Sequence, residues 1–200
     1  ATRGSIGLLF PQNYGDTVAS NAETGAPPPG TSRADWVRDI QIGFFRSFFS
    51  GGPNSNRGYA LRDIGPHGVV PFYSPELNQA DLDTRCQTDP TSARCLLPLG
   101  GFTLWEASAE LRFPIAGSFS GATFCDTSDV APKQAQFRFD RPHFSCGLGA
   151  RYATPLGPFR ADIGYRIPGL QTLNESTGEG QPSSIFGAPI AVSIALGEAF

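Results

Sequence analysis

The sequence predicts an all-β fold: part of a larger antiparallel transmembrane β-barrel, contributing about six strands. Three observations lead there. Segments close to the roughly 10 residues that cross a bilayer at a tilt alternate apolar and polar side chains with period two. The connections between them alternate between short and long. No apolar run approaches the roughly 20 residues of a membrane-spanning helix.

"TRGSIGLLFP" is the first strand. In "LWEASAELRF", Trp105, Ala107, Ala109, Leu111 and Phe113 oppose Glu106, Ser108, Glu110 and Arg112. "GSFSGATFCD" alternates more weakly. In "FSCGLGARY", Phe144, Cys146, Leu148, Ala150 and Tyr152 oppose Ser145, Gly147, Gly149 and Arg151. "FRADIGYRI" is the clearest, with Phe159, Ala161, Ile163, Tyr165 and Ile167 against Arg160, Asp162, Gly164 and Arg166. The last, "IAVSIALGEAF", sets Ile190, Val192, Ile194, Leu196 and Phe200 on one face with the misfit Glu198, and only small residues on the other.

A soluble sandwich would bury the apolar rows and wet the polar ones; a barrel replaces the core by lipid and bulk water by a polar lumen. The connections decide. "PIAGS" and "TPLGP" are tight turns, whereas 11–101, 127–142 and 168–189 are long, polar and rich in Gly and Pro. Short turns at one end and long loops at the other mark an outer-membrane barrel. The 11–101 connection far exceeds ordinary loop lengths, which points to function.

Composition agrees. Of 200 residues 16% are charged, below the roughly one quarter usual in soluble domains. A net charge of -3 argues against a nucleic-acid partner, which would call for a basic stripe. The chain has neither an initiator Met nor a basic-then-apolar leader, and so reads as a mature or truncated piece. Cys86 and Cys95 flank the polar stretch "QTDPTSAR"; with no His or third Cys close by, a disulfide is favoured over a metal site. Cys125 and Cys146 fall on adjacent strands, where a cross-strand disulfide and two free thiols both remain open. His67 and His143 have no Ser- or Cys-centred motif beside them and read as loop residues rather than catalysts. Arg151, Arg160, Asp162 and Arg166 read as a structural charge ladder in the lumen.

Two motifs carry a resemblance. "FFSGGPNSNRGY" followed by "IGP", together with "TPLGPFRADIGY" and a terminal Phe, resembles the C-terminal half-barrel of the BamA/TamA family of outer-membrane assembly barrels, over residues 38–200 and more loosely the first strand. The resemblance implies that the 11–101 connection is an extracellular loop folding back into the lumen. Its Arg57-Gly58-Tyr59 tip would meet acidic residues of the inner wall, by motif position Glu110 and Asp126. Alternation independently puts Glu110 on the lumen side. Arg57 offers a planar fork of donors that two carboxylates match. Gly58 admits close backbone approach, while Gly51 and Gly52 permit turns that other residues resist. A cysteine pair near the spacing of Cys86 and Cys95 also follows the Arg-Gly-Tyr motif in some members.

The function so implied is folding and inserting other β-barrel proteins into the bacterial outer membrane, with no cofactor, no metal and no enzymatic step. Its partners would be unfolded barrel substrates, the lipid bilayer, accessory lipoproteins, and the remaining strands and periplasmic domains, from the same parent chain or a second one. The strand bearing Ser193, Ala195, Gly197, Glu198 and Phe200 would form a weak lateral seam, since Ala195 and Glu198 depart from the usual terminal pattern. The alternatives are a two-partner-secretion barrel that translocates a protein, and a passive porin or surface antigen. An outer-membrane hydrolase would need a Ser–His pair facing lipid, which the sequence does not offer.

Overall fold

Alternating side chains dictate what the backbone then shows. In the computed structural model, which describes residues 1–24, 27–70, 97–155, 157–167, 185 and 187–197, the strands are β1 (Thr2–Leu8), β2 (His67–Gly68), β3 (Leu97–Pro98), β4 (Thr103–Ala116), β5 (Phe119–Ala131), β6 (His143–Thr154), β7 (Gly157–Arg166) and β8 (Ile190–Leu196). Six of them form one antiparallel sheet in the order β1-β4-β5-β6-β7-β8, and β2 pairs with β3 apart from it. The sheet is open, with β1 and β8 as its edges.

Its polarity is the reverse of a soluble sheet. The outward rows stay exposed although they are apolar: Ile6 is 73% exposed, Leu111 70%, Leu148 65% and Ile194 65%. The opposite rows are charged yet buried, with Glu110 at 4%, Arg151 at 4%, Arg160 at 1% and Asp162 at 1%. A wall that hides arginines and carboxylates while presenting Leu and Ile is built for lipid outside and a polar lumen inside. Strands β4 and β5, with 14 and 13 residues, are long enough to cross a bilayer at a tilt. No helix among the described residues is long and apolar enough to do so.

Three sequence expectations need correction. Strand β5 runs on to Ala131, so the connection after it begins at 132 rather than 127. Thr127 to Ala131 pair in register with Ala107 to Thr103, and Asp129 among them is covered by the loop that follows. His67 and His143 are strand residues, both buried, not loop residues. Finally, the 11–101 connection contains two helices, α1 (Val18–Thr24) and α2 (Arg33–Arg46).

Local chemistry accounts for α2. Ser32 caps it by accepting the Asp35 amide at 3.2 Å, and Asp35 stands in the first turn, where the helix dipole favours an acid. Trp36 and Ile40, one turn apart, bury one side of the helix. They pack with Val18, Ala22, Val69, Val70, Leu99 and Phe102 into a small apolar core separate from the β-wall. Asp39, at the centre of that interface, accepts from the Thr17 amide at 2.9 Å and its hydroxyl at 2.6 Å. Asn21 ties α1 to the end of β2 through paired bonds with Val69, the residue after it, at 2.8 and 3.1 Å. This packed base is what launches the following segment toward the wall.

Candidate functional site

Phe48 leaves the helical base by exchanging backbone hydrogen bonds of 2.9 and 3.0 Å with Gly101, just before β4. The Ile64 amide then donates to the Ser50 carbonyl at 3.2 Å, closing residues 50–64 into one excursion. Gly51 and Gly52 have φ of 97° and 99°, values that side chains other than glycine's resist, and they turn the chain at the neck. Inside the excursion the Gly52 amide donates to the carbonyls of Asn56 and Tyr59 at 3.2 and 3.1 Å. The tip is therefore a shaped element carried whole against the barrel wall.

Arg57 is its centre, 1% exposed. Its Nε and Nη2 donate to the two oxygens of Asp126 at 2.8 and 2.9 Å, a fork matched to a carboxylate. Nη1 donates to Glu110 Oε2, and the backbone amide of Arg57 adds a bond to Asp126 at 3.1 Å. The guanidinium also lies over the Phe124 ring, 3.6 Å from its centroid. Burial alone would pull the pKa of Arg57 down. The hydrogen bonds and charges of Asp126 and Glu110 outweigh it and hold the group above the ordinary arginine value, so Arg57 stays charged.

Around this clasp the tip reaches four strands. Ser55 and Ser50 donate to Glu106 of β4, the latter at 3.0 Å. Asn56 bonds Ser128 of β5 at 3.2 Å and the His143 carbonyl of β6 at 2.7 Å, and accepts from Ser145 at 2.6 Å. Asn54 accepts from Arg160 of β7. The Gly58 amide donates to Ser145 Oγ at 3.1 Å, and its carbonyl accepts from Arg166 at 3.2 Å. Tyr59 packs edge-on against His143, with Arg166 over its ring.

Gly58 is dictated by space. A Cβ there would overlap the Ser145 side chain. On the wall Gly164 faces it, and a Cβ on Gly164 would lie 2.7 Å from the Gly58 Cα. Two glycines thus let a loop backbone lie directly on a strand.

The wall charges are shared rather than paired off. Glu110 also takes Arg112 at 2.5 Å and Arg151 at 3.2 Å, and Arg151 reaches Asp162 at 2.6 Å. Arg160 Nη1 lies 3.7 Å from Asp162. Of the residues singled out in the sequence, Arg57, Gly58, Tyr59, Glu110 and Asp126 meet here, with Gly51 and Gly52 at the neck. Ser193 and Ala195 lie on β8 and Gly197 just beyond it. Ser193 Oγ is buried with no hydrogen-bond partner among the described residues. Glu198, Phe200, Cys86 and Cys95 fall outside the described residues. Cys125 and Cys146, whose state was open, are register partners joined by a disulfide. Sequence reasoning passed over Asn54, Ser55, Asn56, Ser128, Ser145 and Gly164. The signal was present: three tip polars directly precede Arg57, and along their own strands Ser128 shares the phase of Asp126, Ser145 that of Arg151 and Gly164 that of Asp162.

Fold and clasp together define a membrane β-barrel whose inner wall is occupied by its own loop. The chain belongs to the Omp85 superfamily, a family of outer-membrane β-barrel proteins, whose domain matches residues 14–179. It is also similar to the crystal structure of BamA from Haemophilus ducreyi lacking POTRA domains 1–3, at 19% identity and a TM-score of 0.41 over 76% of this chain and 26% of that one. No curated protein matches the sequence.

Proposed function

We propose that this segment belongs to an outer-membrane assembly factor that folds and inserts other β-barrel proteins, with β8 as one lip of its lateral seam. The carrying observation is the contrast within the sheet. From β4 to β7 the wall is clasped by Arg57 and its neighbours, whereas the inward side of β8 offers Ala191, Ser193 and Ala195. Such an edge has backbone pairing to give and little else. It can template an incoming strand by β-augmentation, and nascent barrels need that help because each unpaired backbone group costs several kcal/mol in hydrocarbon.

Family membership supports an integral place in the bacterial outer membrane, with the 11–101 connection on the exterior and its tip in the lumen. Two open edges require further strands, from the same parent chain or a second one. Periplasmic domains, accessory lipoproteins and unfolded barrel substrates complete the proposed set of partners. The process involves no cofactor and no covalent chemistry, only strand pairing and lipid displacement. A passive porin is disfavoured, because the excursion at 50–64 fills the wall with bonds to four strands.

The test locks the seam. In the parent protein reconstituted into vesicles, Ser193→Cys is joined by a bismaleimide to a cysteine on the strand that closes the barrel. Insertion of a substrate barrel should stop, while each single-cysteine variant treated alike stays active. Undiminished insertion by the locked protein refutes the seam. Continued export of a soluble partner through the locked barrel would favour a secretion barrel instead.

A further inference from the structure

The loop between β5 and β6, residues 132–142, does something the lumen clasp does not require. By alternation and register, Thr103, Trp105 and Asp129 stand on the outward side of the wall with Ala107 and Cys125. An acid and a hydroxyl on the side that meets lipid would be costly. Yet Thr103 and Asp129 are each only 1% exposed. The loop folds back over them. The Thr103 hydroxyl donates to the Lys133 carbonyl at 2.8 Å and accepts the Gln136 amide at 3.1 Å. Arg138 forks onto Asp129 at 2.9 and 2.7 Å and adds the Val130 carbonyl at 2.8 Å.

With its polar groups turned inward, the same loop presents its aromatic rings outward. Phe139 lies 5.3 Å from Trp105 between ring centroids, and Phe137 stacks on Phe139 at 5.8 Å, near parallel. Phe139 remains 68% exposed. The rings continue the apolar row of Ala107, Ala109 and Leu111 past the end of the spanning band. Of the charged residues in the same loop, Lys133 and Asp140 are exposed, Arg141 is half-buried and Arg138 is engaged by Asp129. A fixed aromatic ladder at the end of a lipid-facing row, flanked by cations, matches the chemistry of the headgroup layer: amphipathic surface at the acyl boundary and phosphate above it.

We propose that residues 132–142 and Trp105 form a bracket that seats this rim of the barrel in the headgroup layer of an anionic membrane leaflet, held in shape by the Arg138–Asp129 fork. This rests on the bilayer reading of the outer face, and the test separates the two.

A photoreactive benzophenone amino acid replaces Leu111, Phe139 or Leu61 singly in the parent protein, reconstituted in vesicles of phosphatidylcholine with phosphatidylglycerol. Leu111 samples the spanning band and Leu61 an exposed position of the 50–64 excursion. After irradiation, lipid adducts are expected at Leu111 and Phe139 and not at Leu61. Lys133→Gln should lower the phosphatidylglycerol adduct at Phe139 by roughly fivefold, the weight of one basic residue near an anionic surface. Adducts at Leu111 without Phe139 overturn the bracket and leave the bilayer reading standing. A protein adduct at Phe139 likewise overturns the bracket, and makes the surface a protein interface. Absence at both sites overturns the bilayer reading and the bracket with it.

Discussion

Strand β5 and strand β8 share one sheet, yet they bury different chemistry. Inward from β5 come Phe124, Asp126 and Ser128, each engaged by the tip of the excursion. Inward from β8 come Ala191 and Ala195, with Ser193 between them lacking a hydrogen-bond partner. A disulfide further fastens β5 to β6 from the outer side, one residue from the Asp126–Ser145 pair that receives Arg57 and Gly58. Cohesion is thus concentrated where the loop docks, and the edge that would exchange strands is left with backbone pairing. Folding free energy distributed this unevenly lets one part of a barrel open while the rest keeps its register.

The sharpest way to break the contrast is at Asp126. In Asp126→Ala, Arg57 keeps Glu110 but loses both forked bonds and its backbone acceptor. Removing one partner of a buried ion pair costs about 3–5 kcal/mol. A fall in the temperature at which the parent barrel unfolds in detergent should report it, with new trypsin cleavage at Arg57. If both stay unchanged, the clasp contributes nothing to cohesion.

Arg57→Ala should cost about 3 kcal/mol, the low end of the same range, because it leaves the buried Asp126 carboxylate with a hydroxyl in place of a cation while Glu110 keeps its other arginines. Glu110 retains Arg112 and Arg151, and Asp126 retains Ser108 at 2.5 Å. Arg57→Lys should recover only part of the loss in the same melting measurement, since an ammonium keeps the charge but cannot fork. Full recovery by Lys would show that charge alone holds the tip.

Much of this was legible because period two survives wherever lipid or lumen sets the rule. The inward phase of Glu110, Arg151, Arg160 and Asp162 follows from alternation alone. Asp126 required the motif resemblance, because the polar run "DTSD" blurs the alternation around it. The same run hid the end of β5: Asp129 faces outward, against the rule, and the Arg138 fork is what makes that tolerable. Helix α2 went unread within a connection judged by its Gly and Pro content, although Ser32, Trp36 and Ile40 carry a cap and a helical stripe. The histidines had no motif to place them, and their burial depends on tip and base arriving from distant sequence.

Gly164→Ala sharpens the comparison from the wall side. The added Cβ would meet the Arg57 carbonyl and the Gly58 Cα, so tip or strand must yield. Overpacking of this kind costs about 1–3 kcal/mol. Hydrogen exchange over residues 50–64 should accelerate while that over β4 and β5 is preserved, which separates undocking from global loss. Unchanged exchange at the tip would mean that glycine is not what permits the approach.

The smallest effect is expected on β8. Ser193→Ala removes a hydroxyl that has no partner among the described residues, opposite Asp162 in register. Deleting an unpaired buried polar group is close to neutral, within about 0.5 kcal/mol in melting experiments. Stability at this edge comes from the ladder pairing Phe159–Tyr165 with Ile190–Leu196, which the substitution leaves intact. A loss as large as that of Arg57→Ala would mean that Ser193 finds a partner on the strand closing the barrel. The edge would then be pinned by side chains, as β5 is, and strand exchange would have to begin elsewhere.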